Sequence, residues 1–371
     1  MNEARIGIIG AGYWATYFYL PYLRTHPQAR CVGVVRRNRS ALDALRRGFD
    51  LEVATTEVDE LLALECDGVV VASPHQWHRR HAEQALNAGC HVLVEKPMAL
   101  RLTEAQSMAS AAVRAGRVLT VAHGWNYSRM ATWAMDLISS GRLGKVHAVV
   151  GYMASALIGL YSGAGGYGKV QIEGFEFEAS AETYAVPGRG GGYLYGQMSH
   201  LIGLVLAVIQ SEPLEVFAQL RRLPSGADID AFVSVKFSDG VQGTFSGTGR
   251  LPWGVRYPLD VRIIGEAGVI NLDFDKDSAE AYFHHESDRK LFPLEDGKES
   301  FIGRRPDERL KPRAGDGIYS CEGPIQFLID RCTGRDVPDR APFEMGRRCV
   351  AILEAAGRSS RLQRTVKVSE L

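Results

Sequence analysis

A lysine that stands alone in the first part of the chain has the clearest potential for chemistry. The sequence has nine lysines and 34 arginines, and Lys96 is the only lysine before Lys145. Arginine stays charged near neutral pH, whereas lysine can release a proton when its surroundings lower its pKa. Glu95 precedes Lys96 at the end of an apolar run that predicts a strand. We expect this pair to position a substrate hydroxyl; a structural ion pair is the alternative.

A glycine motif near the start of the chain is typical of a dinucleotide-binding turn. The motif G-A-G-Y-W-A begins at Gly10, after a strand pattern and before a helical one. Gly10 would make the tight turn, Gly12 would let the backbone approach a pyrophosphate, and Ala15 would allow close helix–strand packing. The following helix start, with Tyr13 and Trp14, would offer N–H groups to the phosphates. A plain turn is the alternative.

Two arginines at the end of the second predicted strand favour NADP(H) over NAD(H). Arg36 and Arg37 stand where a dinucleotide site places either an acid for the ribose 2′-hydroxyl or an arginine for the 2′-phosphate. An acid would repel this phosphate, whereas guanidinium groups would bind it. A solvated basic turn is the alternative, and NAD(H) stays open as the second cofactor candidate.

The turns after the third and fourth predicted strands should face the same cofactor, because ligands of α/β sheets bind outside the carboxyl ends of the strands. The third strand continues into A-S-P-H-Q-W-H, and the fourth ends in E-K-P. The predicted cofactor contacts here are Ser73, Pro74, His78, Glu95 and Lys96. His75 and His81 are expected to be surface-exposed imidazoles.

The elements that must position these residues predict an α/β fold with two domains. Apolar strand patterns alternate with helical patterns in the first domain, residues 1–124, which indicates a parallel sheet covered on both faces. The second domain, residues 125–371, changes to alternating strands and hairpin turns, which indicates a mainly antiparallel sheet. In the first domain the strand patterns cover residues 5–9, 30–35, 68–72, 91–94 and 118–122. In the second they cover residues 146–154, 214–222, 232–237, 241–247, 259–264 and 269–274.

Two segments of the second domain are predicted to be irregular. The glycine- and tyrosine-rich residues 159–192 are interpreted as a long loop on the substrate side, because long loops are commonly functional. Residues 276–313 are charged and irregular and are interpreted as a surface excursion.

Composition excludes several other classes of protein. The 43 basic and 43 acidic side chains give zero formal charge, which argues against a nucleic-acid binder and a polybasic membrane-surface protein. The start lacks a signal-peptide pattern, and the longest apolar run, residues 201–209, is far shorter than the ~20 residues that span a bilayer. Six scattered cysteines without a C-x-x-C pair predict no zinc site and no disulfide framework, hence a cytoplasmic location.

Three motifs together resemble the Gfo/Idh/MocA family of NAD(P)-dependent sugar and cyclitol oxidoreductases. They are the glycine turn, A-S-P-x-x-x-H and A-G-C-H-V-L-V-E-K-P, and the resemblance is most specific over residues 5–125. It implies a Rossmann domain, a second α/β domain with a large open sheet, a cleft between them, and a homodimer or homotetramer formed through that sheet. It also implies that Lys96 lies near the nicotinamide and the reacting hydroxyl.

The chain departs from the family in the second cluster of site residues. The family pattern G-G-G-x-L-x-D-x-G-x-H becomes G-G-G-Y-L-Y-G-Q-M-S-H, so Gly196 replaces the aspartate and Met198 the inner glycine. The resemblance implies that His200 is an acid/base without its carboxylate; a buried histidine at a helix start is the alternative. Gln197 is the nearest polar substitute and could bind substrate hydroxyls.

The resemblance also implies that the segment after the last Rossmann strand lines the cleft. Trp125 would offer a flat face to a sugar and Asn126 hydrogen bonds, although both would suit an interdomain core equally well. The leading interpretation is an NADP(H)-dependent oxidoreductase acting on a carbinol or ketone of a sugar, cyclitol or related polyol. A cofactor-retaining epimerase, lyase or glycosidase is the second, and a non-catalytic nucleotide sensor the third.

Overall fold

A parallel six-stranded sheet forms the first domain of the computed structural model, which describes residues 3–165, 167–284, 305–313 and 315–371. Its strand order is β3-β2-β1-β4-β5-β6, and every neighbouring pair is parallel. The strands are β1 (Ala4–Ile9), β2 (Ala29–Val35), β3 (Val53–Thr55), β4 (Gly68–Val71), β5 (His91–Val94) and β6 (Leu119–Val121). Their side chains are almost wholly buried, because helices cover both faces of the sheet.

Five helices accompany this sheet. The glycine turn leads into a π-helical turn (Ala15–Tyr19) that continues as α1. The helices are α1 (Leu20–Thr25), α2 (Leu42–Phe49), α3 (Val58–Leu62), α4 (His78–Asn87) and α5 (Leu102–Ala115). The predicted α/β fold is confirmed. The short elements β3 and α3 were missing from the prediction, because three to five residues are too few to show a hydrophobic period.

A nine-stranded sheet forms the second domain, in the order β16-β15-β14-β13-β7-β12-β11-β10-β17. Neighbouring strands are antiparallel except β7 and β12, which run parallel. The strands are β7 (Val146–Ala154), β10 (Pro213–Arg222), β11 (Asp228–Phe237), β12 (Gln242–Thr248), β13 (Leu259–Gly265), β14 (Gly268–Asp273), β15 (Ser278–Phe283), β16 (Glu308–Arg309) and β17 (Val366–Lys367). The predicted second sheet is therefore confirmed.

One face of this sheet packs on helices. Its main partners are α9 and α11, which share a large apolar core with the strands. The helices are α6 (Arg129–Ser139), α9 (Ser199–Ile209), α10 (Glu322–Cys332) and α11 (Phe343–Leu362). The continuous helical stretch Pro187–Ile209 passes a length and apolarity test for a membrane span, but 78% of its window is buried inside the protein. Its apolar character is therefore that of a core helix.

The interpretation of residues 159–192 as a structureless loop was wrong. The segment contains α7 (Ile158–Ser162), a hairpin of β8 (Lys169–Ile172) and β9 (Phe175–Glu178), and α8 (Ala181–Tyr184). Its frequent glycines hid a short alternating pattern. The hairpin leaves its own domain and buries Phe177 in the apolar core of the first domain, beside α2.

The interpretation of residues 276–313 as an irregular excursion was wrong at both ends. β15 and β16 lie there as the edge of the large sheet, and residues 285–304 lie outside those that the structure describes. Near the other end of the chain, α10 packs against the first domain rather than the second. The boundary at residues 124/125 stays a prediction.

Candidate active site

A cleft of about 670 Å³ opens where the carboxyl ends of β1, β2, β4 and β5 meet the segment around α8. This is the place where a parallel α/β sheet binds its ligand, because the strand ends and their turns converge there. All of the predicted cofactor contacts except Ala15 line it. They are Gly10, Gly12, Tyr13, Trp14, Arg36, Arg37, Ser73, Pro74, His78, Glu95 and Lys96.

The glycine turn has the shape that a pyrophosphate cradle needs. Gly10 has a φ of +100°, and a Cβ there would lie 2.3 Å from the backbone nitrogen of Ser73. A Cβ at Gly12 would instead meet nothing closer than 3.9 Å, where Nη1 of Arg36 lies. The turn is therefore packed tightly against the next strand end on one side and open on the other. This open side is where a phosphate could approach the backbone.

The two arginines after β2 differ in freedom. Arg36 is half-buried, donates from Nη1 to the Ala11 carbonyl oxygen at 2.5 Å, and places its guanidinium carbon 4.8 Å from the centroid of Phe177. Burial lowers its pKa. Arg37 is exposed at the rim of the cleft. Arg36 therefore forms part of the wall under the hairpin, whereas Arg37 is free to contact a ligand.

His78 joins the turns after β4 and β5. The ring is fully buried, with Nδ1 2.9 Å from the Pro97 carbonyl oxygen and Nε2 2.7 Å from the Ser73 carbonyl oxygen. A neutral imidazole donates from only one nitrogen, so only one of the two carbonyl oxygens accepts a hydrogen bond from the ring at a time. His78 thereby fixes the end of the strand that delivers Lys96.

The expectation that His75 and His81 are surface-exposed was wrong. His75 is buried with Nδ1 3.2 Å from the Gly190 carbonyl oxygen, because the second domain folds over the turn after β4. His81 is half-buried, and its Nδ1 lies 2.9 Å from the Ser73 hydroxyl.

Lys96 reaches across the domain boundary instead of pairing with its neighbour. Its Nζ donates to the Gly196 carbonyl oxygen at 2.9 Å. Glu95 accepts from the Tyr19 hydroxyl at 2.6 Å and from the Lys96 backbone N–H at 3.1 Å. Burial raises the pKa of Glu95 and lowers that of Lys96, while their mutual attraction opposes both shifts. The Lys96 ammonium can therefore release its proton more readily than a surface lysine.

Two histidines lie in the same buried region. His200 is the second residue of α9, and His123 follows β6. Their ring centroids are 6.4 Å apart. Nδ1 has no hydrogen-bond partner in either ring. Burial lowers the pKa of His123 to about 3 and that of His200 well below its usual value, and the charge of Lys96 contributes a smaller part of both shifts. Both rings are therefore neutral at pH 7, and each has a buried Nδ1 without a partner, although neither ring is among the residues that line the cleft.

Sequence reasoning missed His123, although a signal existed. It stands two residues beyond the end of β6, at the same carboxyl edge as the other site residues. Gly203 makes room for it, because a Cβ there would lie 2.5 Å from the His123 ring.

The helical segment that carries Gly196 and His200 is held by a carboxylate that the sequence did not indicate. A π-helical turn (Leu194–Met198) leads into α9, and Asp228 accepts from the Leu194 N–H at 2.7 Å. Gly192 allows this contact, since a Cβ there would lie 2.2 Å from Oδ1 of Asp228. Burial raises the pKa of Asp228 to about 6.

Like His200, three further predicted substrate contacts do not line the cleft. Trp125 packs edge-on against Phe274, with centroids 4.9 Å apart. Asn126 is fully buried and donates to the Arg340 carbonyl oxygen at 3.1 Å, which suits an interdomain core. Gln197 is half-buried on the π-helical turn. A substrate role for the three stays a prediction, and no triad of metal-ligating side chains occurs among the described residues.

Comparison with known proteins decides the family. A model described as an oxidoreductase family with an NAD-binding Rossmann fold matches residues 4–123, and the C-terminal domain model of the same GFO/IDH/MocA family matches residues 132–271. This chain belongs to the Gfo/Idh/MocA family. The predicted membership is confirmed, and with it an NAD(P)-dependent oxidoreductase fold.

Two curated relatives of this family member are named as dehydrogenases. It is 28% identical to the 1-carboxy-3-chloro-3,4-dihydroxycyclohexa-1,5-diene dehydrogenase of Comamonas testosteroni over 248 residues, 66% of this chain and 58% of that one. It is 35% identical to the glucose-6-phosphate 3-dehydrogenase of Bacillus subtilis (strain 168) over 142 residues, 38% of this chain and 40% of that one. The matched part thus spans about half the length of these relatives.

Solved structures support the fold over the whole chain. The structure of GenD2 from gentamicin A biosynthesis in complex with NAD has a TM-score of 0.73 at 24% identity and covers 99% of this chain and 97% of its own. A WlbA dehydrogenase from Chromobacterium violaceum, in complex with NADH and UDP-GlcNAcA, has a TM-score of 0.75 at 20% identity and covers 99% and 96%.

Protonation of the buried histidines should destabilise the protein in acid. Burial lowers the pKa of His75 to about 3, of His78 to about 4 and of His123 to about 3, and lowers that of His200 well below its usual value. Unfolded histidine titrates near ~6.5, so below that pH the unfolded chain binds protons that the native protein does not. Each such histidine then removes about 1.4 kcal/mol of stability per pH unit.

Urea unfolding at about pH 7.5, 6.5 and 5.5 measures this effect. The midpoint should change little above pH ~6.5 and fall below it. His123→Gln should reduce the fall, whereas His147→Gln, at an exposed position, should leave it unchanged. A midpoint that is constant down to about pH 5.5 would contradict the assignment of neutral buried rings.

Proposed function

We propose that this protein is an NADP(H)-dependent oxidoreductase that interconverts a carbinol and a ketone in a sugar, cyclitol or related polyol. The observation that carries the proposal is the buried Lys96 ammonium at the inner end of the cleft, beside imidazole nitrogens that lack partners. Buried polar atoms without partners in a native protein call for an explanation, and substrate hydroxyl groups would satisfy them.

The cofactor would lie along the strand ends. Gly10 and Gly12 would hold the pyrophosphate, and Glu95 would face the nicotinamide ribose. The open face of Gly12, which a Cβ would fill, fits this placement. The bound nicotinamide supplies the acceptance or donation of a hydride.

The residues of the chain would manage the proton. In the oxidative direction neutral Lys96 accepts the proton of the reacting hydroxyl, and in the reductive direction its ammonium returns a proton to the carbonyl oxygen. The lowered pKa of Lys96 eases this exchange. His200, neutral and with an unpartnered Nδ1, accepts a hydrogen bond but not the proton, because burial holds its pKa well below the usual value. Holding the hydride donor and the hydride acceptor in reactive geometry supplies much of the remaining rate enhancement.

Replacing Lys96 by methionine tests the proton role. Lys96→Met keeps the length of the side chain and removes the amine, so kcat/KM for polyol oxidation should fall by roughly 10²- to 10⁴-fold. The NADPH dissociation constant should change much less than kcat/KM, because the proton role of Lys96 is directed at the substrate oxygen. Lys145→Met, at an exposed position, is the matched control. Wild-type activity in the Lys96 variant would exclude this role.

The preference for NADP(H) is supported by the free guanidinium of Arg37 and the absence of an acid at the end of β2 in the sequence. Arg36, held by the Ala11 carbonyl and Phe177, would add positive charge without moving. A charge-assisted hydrogen bond to the 2′-phosphate contributes about 1.5–3 kcal/mol.

Arg37→Ala should therefore weaken NADPH binding by roughly tenfold to a hundredfold and leave NADH binding unchanged. Fluorescence titration with both cofactors measures the two dissociation constants. Arg39→Ala is the control, since Arg39 is exposed outside the cleft lining. Wild-type protein that binds NADH as tightly as NADPH would refute the preference.

We also propose self-association through the outer face of the nine-stranded sheet. Two neighbouring rows cross its centre: Tyr152 and Phe232 flank Ser246 in one, and Val150 and Phe217 flank Thr244 and Ser234 in the other. The four large side chains are 37–56% exposed, and a contiguous apolar patch of this kind is typical of an interface. Sedimentation should show a dimer or tetramer that Phe232→Asp dissociates; a monomeric wild type would refute it.

Six free cysteines fit a cytoplasmic location.

A further inference from the structure

Tyr161 lies where a side chain at position 196 would project. A Cβ on Gly196 would be 2.2 Å from the Tyr161 hydroxyl oxygen and 3.1 Å from the ring carbon that bears it. Gly196 is in a helical turn and has no positive φ, so its backbone conformation does not require glycine. The Tyr161 hydroxyl is therefore what excludes any larger residue from this position.

The Tyr161 hydroxyl is buried without being used in the fold. The side chain is fully buried, on α7, and its ring packs edge-on against Tyr184 and Tyr193. The hydroxyl has no hydrogen-bond partner, although the Gln197 side chain lies beside it. A buried hydroxyl without a partner is unfavourable in the folded protein, so its presence needs a reason other than stability.

Lys96 approaches the same residue. Its Nζ donates a hydrogen bond to the carbonyl oxygen of Gly196, and the Tyr161 hydroxyl lies where a Cβ on the α-carbon of Gly196 would project. His200, with its unpartnered Nδ1, lies four residues further along the same helical segment. An amine and a phenol thus lie next to one backbone position, and the phenol and the nearby imidazole have no partner in the protein.

We propose that the Tyr161 hydroxyl contacts the substrate oxygen beside Lys96 and takes the place of the aspartate that the family pattern has at position 196. This rests on the proposed function and adds a catalytic-site residue to it. Burial raises the pKa of Tyr161 well above its usual value, so the phenol keeps its proton and acts as a neutral hydrogen-bond donor. Lys96 is then the group that carries charge toward the reacting oxygen.

The position of the Tyr161 hydroxyl next to residue 196 can be tested without a substrate. Gly196→Ala should lower the melting temperature by several degrees, although alanine is the better helix former, because its Cβ collides with the hydroxyl. Tyr161→Phe removes the atom that is 2.2 Å away and should recover part of the loss in the double variant. Additive effects of the two substitutions would show that the hydroxyl does not occupy this space.

A test of role compares stability with activity. Tyr161→Phe should leave the melting temperature unchanged or raise it, because the hydroxyl has no partner to lose. It should lower kcat/KM for the polyol by about a hundredfold, with NADPH affinity unchanged. Tyr193→Phe is the matched control: it loses a hydroxyl bonded to the Met153 carbonyl oxygen at 2.8 Å and should lose stability while kcat/KM stays near the wild-type value.

The outcomes separate the two proposals. Activity of Tyr161→Phe equal to that of wild-type protein would overturn the role of Tyr161 and leave the oxidoreductase proposal intact. A wild-type protein that turns over no polyol with NADP⁺ would overturn both. The double variant Tyr161→Ala with Gly196→Asp should be more active than Tyr161→Ala alone, because the new carboxylate would occupy the space that the Tyr161 hydroxyl fills. No gain in activity would count against the proposal that Tyr161 takes the place of the aspartate.

Discussion

The contact between the Lys96 ammonium and the Gly196 carbonyl oxygen is the interaction on which the rest of the site depends. It joins residues that are 100 positions apart in sequence and belong to different domains, and it is buried. A buried charge is costly unless it is hydrogen-bonded and compensated. Here a carbonyl dipole lies in front of the ammonium, and Glu95 lies behind it, held in turn by Tyr19. These contacts fix both the end of β5 and the start of the helical segment that carries His200.

Burial also gives the site its electrostatic character. Two imidazoles and a phenol are all kept neutral by desolvation, whereas burial lowers the pKa of the Lys96 ammonium and so eases the release of its proton. The carboxylate Asp228 holds the backbone of the π-helical turn rather than the reacting groups. A site with a single exchangeable charge suits a reaction in which one proton accompanies a hydride.

Local patterns were enough to predict the strand ends and the residues they carry. The glycine turn, Arg37 and Lys96 follow apolar runs directly, and parallel strands bring such positions to one edge. Contacts between distant segments left no local pattern. Tyr161 and Asp228 lie next to Gly196 and Leu194 because distant segments of the second domain pack together. Trp125 looked like a sugar platform by residue type, but Phe274, about 150 positions away, makes it part of the core.

The glycine-rich segment shows the same limit. Its composition suggested an open loop, yet Phe177 anchors it in the first domain and stacks under Arg36. Residue types alone could not show this, because the partners of the hairpin come from α2 and the end of β2. Tyr161 also belongs to this segment, so the part that seemed least structured supplies a wall of the cofactor site and a group beside Lys96.

Transfer of deuterium from substrate to cofactor tests the central claim most directly. Sugars and inositols that carry deuterium at the carbinol carbons would be incubated with the protein and NADP⁺, and the mass and proton spectrum of the recovered cofactor would be measured. Hydride transfer predicts one deuterium at nicotinamide carbon 4 for each ketone formed, with the transfer lost in Lys96→Met. Ketone formation or substrate turnover without deuterium in the cofactor would contradict the account.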